Sequence, residues 1–128
     1  MEPPTVLIID GDRDSLNIYS LVLSYHGFRV LVADDGEAGF ALACEHQPDL
    51  IVLEPFVPGV RGLALLDLLR AEERTAGLRM LVVTAVPSLV EGLAAMVPPG
   101  QQYLVKPCQP RYFLAEVQRR LEPSLSAA

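Results

Sequence analysis

Four apolar runs in the sequence are each followed by a side chain that could bind a metal ion or a phosphate group. These side chains belong to Asp10, Glu54, Thr84 and Lys106. Carboxylate oxygens are the ligands that Mg²⁺ prefers, whereas an ammonium group and a hydroxyl bind phosphate oxygens. We therefore predict that the four residues form a site for a phosphoryl group.

Hydrophobic patterning predicts the elements that position these side chains. Five apolar runs rich in Val, Ile and Leu alternate with segments of helical spacing. The runs are Val6–Ile9, Val30–Ala33, Leu50–Leu53, Met80–Val83 and Tyr103–Val105. The helical segments are about Asp14–His26, Glu37–Glu45, Leu63–Glu73, Ser88–Met96 and Arg111–Leu121. Short continuous apolar runs are typical of strands buried on both faces of a parallel sheet.

This alternation predicts a doubly wound α/β fold, written (βα)5, with an open parallel five-stranded sheet and helices on both faces. In such sheets, ligands bind beyond the carboxyl ends of the strands. Because the four polar residues all follow strand ends, we expect them to converge on one rim of the sheet.

Composition narrows the class of protein. The 128 residues suit one domain, and the net charge of −6 argues against direct binding of nucleic acid. No apolar run is long enough to cross a membrane, and the start Met1–Pro4 has no features of a secretory signal. We therefore expect a cytoplasmic protein. Cys44 and Cys108 lack metal-binding spacing and are expected to be ordinary thiols.

From about Thr5 to Leu121 the sequence resembles the receiver domain of two-component response regulators, the CheY-like family. The matching stretches are VLIID, PDLIVLEPFVPGVRGLALL, LVVTA and QYLVKP, at the first, third, fourth and fifth predicted strands. The resemblance implies a flavodoxin-like sheet with strand order 2-1-3-4-5. It also implies a receiver domain over residues 1–121 and a flexible tail or the start of a linker over 122–128.

The resemblance assigns roles to individual residues. In that family an acid pair after the first strand binds Mg²⁺, and an Asp after the third strand accepts phosphate from a histidine kinase. Thr84 and Lys106 match the residues that bind the phosphoryl oxygens. Tyr103 matches an aromatic residue that turns inward on activation, and the peptide bond before Pro107 is expected to be cis.

The acidic half of the site departs from the family pattern. Gly11 replaces the second acid of the pair, and Glu54 stands at the phospho-acceptor position. Catalytic geometry tolerates little displacement, so we expect normal phosphorylation to be absent or poor and Mg²⁺ to bind only weakly at Asp10. Asp12 is either a substitute ligand or the cap of the first helix. Glu54 is predicted to pair with Lys106, locking an active or an inactive form.

The resulting hypothesis is an atypical receiver that signals through protein contacts and is not an enzyme. One alternative is a conventional Mg²⁺-dependent receiver that accepts phosphate. Another is a phosphatase of the haloacid-dehalogenase type, because Asp10-Gly11-Asp12 also looks like the opening motif of that class.

The expected partners are a histidine kinase or another signalling protein, with no membrane contact. A homodimer is predicted through the fourth helix, fifth strand and fifth helix. On that face, arginines at 111, 119 and 120 give the last helix a basic side together with Gln118.

Overall fold

The computed structural model describes residues 2–55, 62–85 and 103–122, which form five strands and four helices. The strands are β1 (Thr5–Ile9), β2 (Arg29–Ala33), β3 (Leu50–Leu53), β4 (Arg79–Thr84) and β5 (Leu104–Val105). The helices are α1 (Arg13–Tyr25), α2 (Gly36–His46), α3 (Gly62–Ala71) and the C-terminal helix (Pro110–Leu121). The predicted fourth helix, about 88–96, and residues 123–128 of the predicted tail lie outside the described residues.

The sheet is parallel at every described pairing, in the order β2-β1-β3-β4-β5. This order confirms the predicted fold. Ile9 is in register with Ala33 on one side and with Leu53 on the other, so β1, β2 and β3 end at the same level. The carboxyl ends of the central strands therefore form one rim.

The core lies in two layers, one on each side of the sheet. Leu7 and Ile9 face the layer that α2 and α3 cover. Val6 and Ile8 face the layer beneath α1 and the C-terminal helix, where Tyr19 stacks on Phe113 with ring centroids 4.1 Å apart. The side chains of β1 alternate between the layers, so every residue from Val6 to Ile9 is fully buried.

The prediction that all five strands are buried on both faces is wrong for the two edge strands. Val32 of β2 is 46% exposed, and Val105 of β5 is 45% exposed. Both strands have a sheet neighbour on one side only. Helices pack over the middle of the sheet, so an apolar run at its edge keeps part of its surface in solvent.

Local backbone conformation and side-chain hydrogen bonds determine where α1 and α3 end. Gly27 follows the cap of α1 with φ of +88°, a left-handed conformation that favours glycine. The third helix, predicted to reach Glu73, ends earlier at Ala71. The buried Thr75 hydroxyl then donates to the carbonyl of Leu69 at 2.6 Å, which ties the following turn to the helix.

No helix in the described ranges is long and apolar enough to span a membrane, and the cytoplasmic location stays a prediction.

Candidate functional site

Backbone hydrogen bonds of the sheet extend into the residues that follow the strands. The amide of Asp10 donates to the Ala33 carbonyl, and the amide of Glu54 donates to the Ile9 carbonyl at 2.9 Å. The amide of Lys106 likewise donates to the Thr84 carbonyl at 2.8 Å. The fold thus fixes the backbone of all four predicted site residues and brings them to one rim, as the sequence indicates.

The closest contact in the site is an ion pair between Asp10 and Lys106. The Lys106 Nζ lies 2.6 Å from the Asp10 Oδ2, and their side chains are 13% and 4% exposed. The other carboxylate oxygen of Asp10, Oδ1, accepts a hydrogen bond from the amide of Asp12 at 2.8 Å. Both oxygens of Asp10 therefore have partners within the chain.

Glu54 reaches the two residues that the family resemblance assigns to phosphoryl oxygens. Its Oε1 accepts a hydrogen bond from the Thr84 hydroxyl at 3.4 Å. Its Oε2 lies 3.9 Å from the Lys106 Nζ. The predicted pairing of Glu54 with Lys106 is therefore present, but it is the longer of the two contacts that the ammonium makes with carboxylates. Sequence reasoning missed the shorter contact, with Asp10.

Asp12 lies at the start of α1 and caps it. One of its oxygens accepts from the Asp14 amide at 3.3 Å, and the other accepts from the Ser15 hydroxyl at 2.7 Å. The hydrogen bond from Ser15 is the main cause that holds the pKa of Asp12 below its usual value. The geometry matches the capping alternative, because both carboxylate oxygens of Asp12 accept hydrogen bonds at the start of α1.

The oxygen donors at this rim do not fit a magnesium ion as they are arranged. Asp10 is engaged by the Lys106 ammonium and by a backbone amide, and Gly11 contributes no side chain. Within residues 2–55, 62–85 and 103–122, no group of three or more His, Cys, Asp or Glu side chains is placed to hold a metal. The ammonium of Lys106 lies beside both carboxylates, those of Asp10 and Glu54.

The remaining predicted site residues flank Lys106. Tyr103 lies just before β5 and is partly buried. The Lys106–Pro107 peptide bond is cis, as the resemblance implies. Burial raises the pKa of the neighbouring Cys108 thiol, which disfavours the reactive thiolate.

Tyr19 of α1 lies near the site, and the sequence analysis did not single it out. Its ring is buried against Phe113. Burial raises its pKa to about 12, and the nearby charges of Cys108, Asp10, Asp12 and Glu54 add to the effect. Helical spacing could identify Tyr19 as a core residue, but its closeness to the acidic rim depends on the packing of α1.

The basic side predicted for the last helix is smaller than the sequence indicates. Arg120 is largely buried and donates to the Met80 carbonyl at 3.0 Å, so it anchors the helix to β4. Arg119 is exposed and pairs with Glu116. Arg111 is also exposed, but the guanidinium lies over the ring of Tyr112. The fourth-helix part of the predicted partner face lies outside the described residues.

Comparison with known proteins identifies the architecture around this rim. Residues 6–118 match the family model of the response regulator receiver domain. The dual master transcriptional regulator RpaA of Synechocystis, named as DNA-binding, is 36% identical over 118 residues. These residues are 92% of this chain and 49% of that regulator. The probable transcriptional regulatory protein TcrX of Mycobacterium tuberculosis is 32% identical over 97% of this chain and 50% of its own.

Solved structures show the same fold. The chemotaxis response regulator CheY4 of Vibrio cholerae superposes with a TM-score of 0.79 at 26% identity, covering 93% of this chain and 99% of that one. A putative response regulator from Chloroflexus aurantiacus gives a TM-score of 0.80 at 29% identity, over 94% of this chain and 98% of the other. The chain spans about half the length of the curated relatives it matches.

The chain therefore belongs to the response regulator receiver domain family and is a domain of two-component signalling. The family match covers residues 6–118, whereas the haloacid-dehalogenase alternative rested only on the three residues after the first strand. We therefore do not retain that alternative.

Proposed function

We propose that this receiver domain signals through protein contacts without carrying a phosphoryl group on residue 54. Glu54 takes the place of the phosphorylated side chain, and the domain catalyses no reaction of its own. Its partners are a histidine kinase or another signalling protein. The relatives named as DNA-binding are about twice as long, and the net charge of −6 supports no direct contact of this chain with nucleic acid.

One observation carries the proposal: the two carboxylate oxygens of Glu54 lie toward Thr84 and Lys106, at 3.4 and 3.9 Å. These are the partners that the family resemblance assigns to phosphoryl oxygens. A carboxylate offers one negative charge, whereas a phosphoryl group carries about 1.5 to 2 charges and three acceptor oxygens. Glu54 is thus a weaker, permanent stand-in for the modified residue.

The acidic half of the site supports the same proposal. A phosphate arriving at residue 54 would meet the carboxylates of Glu54 and Asp10, while Lys106 is held by Asp10 at 2.6 Å. Gly11 adds no ligand for a metal that would offset this negative charge. We therefore propose that any binding of Mg²⁺ is weak and that it is not required for signalling.

Phosphotransfer is tested by intact-mass spectrometry after incubation with acetyl phosphate and Mg²⁺. We expect no addition of a phosphoryl group to the wild-type chain. The double substitution Gly11→Asp with Glu54→Asp restores the acids that the family pattern requires, and this variant should gain one phosphoryl group. High occupancy of a phosphoryl group on the wild-type chain would contradict the proposal and support the conventional receiver.

The role of the Glu54 charge is tested by Glu54→Gln, which keeps the shape of the side chain and removes its charge. We expect this variant to change the affinity for a cognate signalling partner, because the contacts with Thr84 and Lys106 weaken. Glu37→Gln on α2 provides an exposed control that removes the same charge; α2 follows β2, which lies at the opposite edge of the sheet from β5. Equal partner affinity in the Glu54→Gln variant and the wild type would count against the stand-in role.

A further inference from the structure

The C-terminal helix is held on the sheet in two different ways along its length. Its first two turns pack through Phe113 and Val117, which are fully buried in the core. The last turn, residues 118–121, has no fully buried apolar side chain, because Leu121 is only partly buried. Arg120 lies one turn after Val117 on the same face of the helix. The last turn therefore depends on polar contacts for its attachment to the sheet.

Two arginines join this turn to the start of β4. The Arg120 Nη1 donates to the Met80 carbonyl at 3.0 Å, and the Arg79 Nη1 donates to the Arg120 carbonyl at 2.6 Å. One bond runs from the helix to the strand and the other from the strand to the helix. Glu116 accepts from the Arg120 Nε at 3.0 Å and orients the guanidinium. We call the contacts of Arg79, Met80, Glu116 and Arg120 the latch.

Arg79 takes the place of a cap at the end of this helix. The last carbonyls of a helix have no partner within it, and a glycine-based turn often satisfies them. Here the cap residue Glu122 is extended, with φ of −60° and ψ of 136°, and residues 118–128 include no glycine. A side chain 41 positions away in the sequence binds the Arg120 carbonyl instead. The helix end is therefore tied to β4 directly.

The latch contributes only modestly to net stability when it is closed. Burial is the main cause that lowers the pKa of the Arg120 guanidinium, because desolvation penalises its charge. A buried ion pair gains little net free energy over the solvated groups, although the loss of one partner is costly. The cost of burying Arg120 thus offsets part of what its hydrogen bonds contribute, and little apolar surface supports the turn.

We propose that residues 118–121 form a unit that detaches from β4 and closes again, through the latch, while Phe113 and Val117 stay packed. Segments with few buried apolar contacts open independently of the core in many proteins. Opening of this unit releases the Arg120 side chain and changes the direction in which the chain leaves the sheet after Leu121. The latch is thus a conformational device at the opposite end of β4 from Thr84 of the rim.

Hydrogen exchange of the ¹⁵N-labelled full chain, followed by NMR at low urea concentrations, tests the proposal. We expect the amides of residues 118–121 to exchange through an opening that urea hardly affects, and the Val117 amide through one that urea promotes steeply. Arg79→Met removes a charged donor and should accelerate exchange in the last turn roughly tenfold or more. The exchange of the Val117 amide in this variant should stay close to that of the wild type.

Arg119→Met is the matched control. It removes a guanidinium from the same turn, but Arg119 is exposed and pairs with Glu116. We expect exchange in this variant to match the wild type, whereas Arg120→Met should behave like Arg79→Met. Circular dichroism checks that each variant is folded. The proposal is overturned if the last turn of the wild type exchanges only together with Val117, or if Arg79→Met leaves its exchange unchanged. Equal acceleration in Arg79→Met and Arg119→Met would also overturn it, because the effect would then follow charge and not the latch.

Discussion

The two halves of the rim share one scaffold but differ in chemistry. At the ends of β4 and β5, Thr84 and Lys106 match the sequence pattern that the family resemblance implies. At the ends of β1 and β3, we infer from the same pattern that Gly11 and Glu54 depart from it. Sheet hydrogen bonds hold both halves in the same way, through the amides of Glu54 and Lys106. The difference shows that the fold fixes where the side chains lie, while the side chains alone decide what the site can do.

The charged groups of the two halves interact through one ammonium group, that of Lys106. Lys106 lies 2.6 Å from Asp10 and 3.9 Å from Glu54, so a residue at the end of β5 interacts with the carboxylates at the ends of β1 and β3. Substitutions at the rim measure how strongly the halves are coupled, and the greatest loss of stability is expected where the ammonium is removed.

Removing the ammonium is expected to cost the most stability. Lys106→Met leaves Asp10 and Glu54 as neighbouring buried carboxylates without their cation, and breaking a buried ion pair costs about 3–5 kcal/mol. Urea denaturation at neutral pH measures the free energy of unfolding. Arg74→Met removes a cation from an exposed pair with Glu72 and should cost only a small part of this amount. Equal losses in the two variants would show that Lys106 is not a buried partner.

Tyr19 reports on the acidic half through its ionisation. Its pKa in the folded chain is raised to about 12 from an ordinary value of 10.0, so its contribution is fully present below pH 10. As the pH rises toward 12, the unfolded chain ionises this phenol first, and stability on the order of 2–3 kcal/mol is lost. Tyr19→Phe should not show this part of the alkaline loss. Identical pH profiles of unfolding for the two proteins would rule out a buried, protonated Tyr19.

The Thr84 hydroxyl is expected to contribute less. Thr84→Val removes a fully buried donor to Glu54 at 3.4 Å, and the loss of such a bond costs roughly 1 kcal/mol. Thr75→Val removes the other fully buried threonine hydroxyl, whose bond to the Leu69 carbonyl is shorter at 2.6 Å. We expect the unfolding midpoint to fall at least as far in Thr75→Val. A Thr84→Val variant of unchanged stability would mean that the hydroxyl does not hold Glu54.

The smallest effect is expected at Asp12. Asp12→Ala removes the cap of α1 and its bond from Ser15, so the thermal midpoint should fall slightly. Asp12→Asn retains a capping oxygen and should stay closer to the wild type. A fall in the midpoint of Asp12→Ala that appears only when Mg²⁺ is present would instead make Asp12 a metal ligand.

The sequence predicted the scaffold of the site well. Continuous apolar runs locate every strand to within a residue or so, because a parallel sheet needs apolar side chains on both faces. Each run ends at a polar residue, so Asp10, Glu54, Thr84 and Lys106 could be assigned to one rim. The family resemblance added the strand order and the cis bond before Pro107.

Features that depend on distances across the fold could not be predicted in this way. The preference of Lys106 for Asp10 over Glu54 depends on how a long side chain crosses the rim. The burial of Arg120 depends on the packing of the C-terminal helix against β4. Similarly, Val32 and Val105 have apolar patterns like those of central strands, and only their place at the sheet edges exposes them.

We propose that the ammonium of Lys106 supplies the positive charge beside Glu54 without Mg²⁺, and that residue 54 carries no phosphoryl group. A titration of the ¹⁵N-labelled chain with Mg²⁺ and beryllofluoride, followed by the amide resonances of Gly11, Glu54 and Lys106, tests it most directly. We expect no saturable shift of these resonances in the wild-type chain, whereas those of the Gly11→Asp, Glu54→Asp variant should shift to saturation. Saturable shifts in the wild-type chain, with an adduct on Glu54, would contradict it.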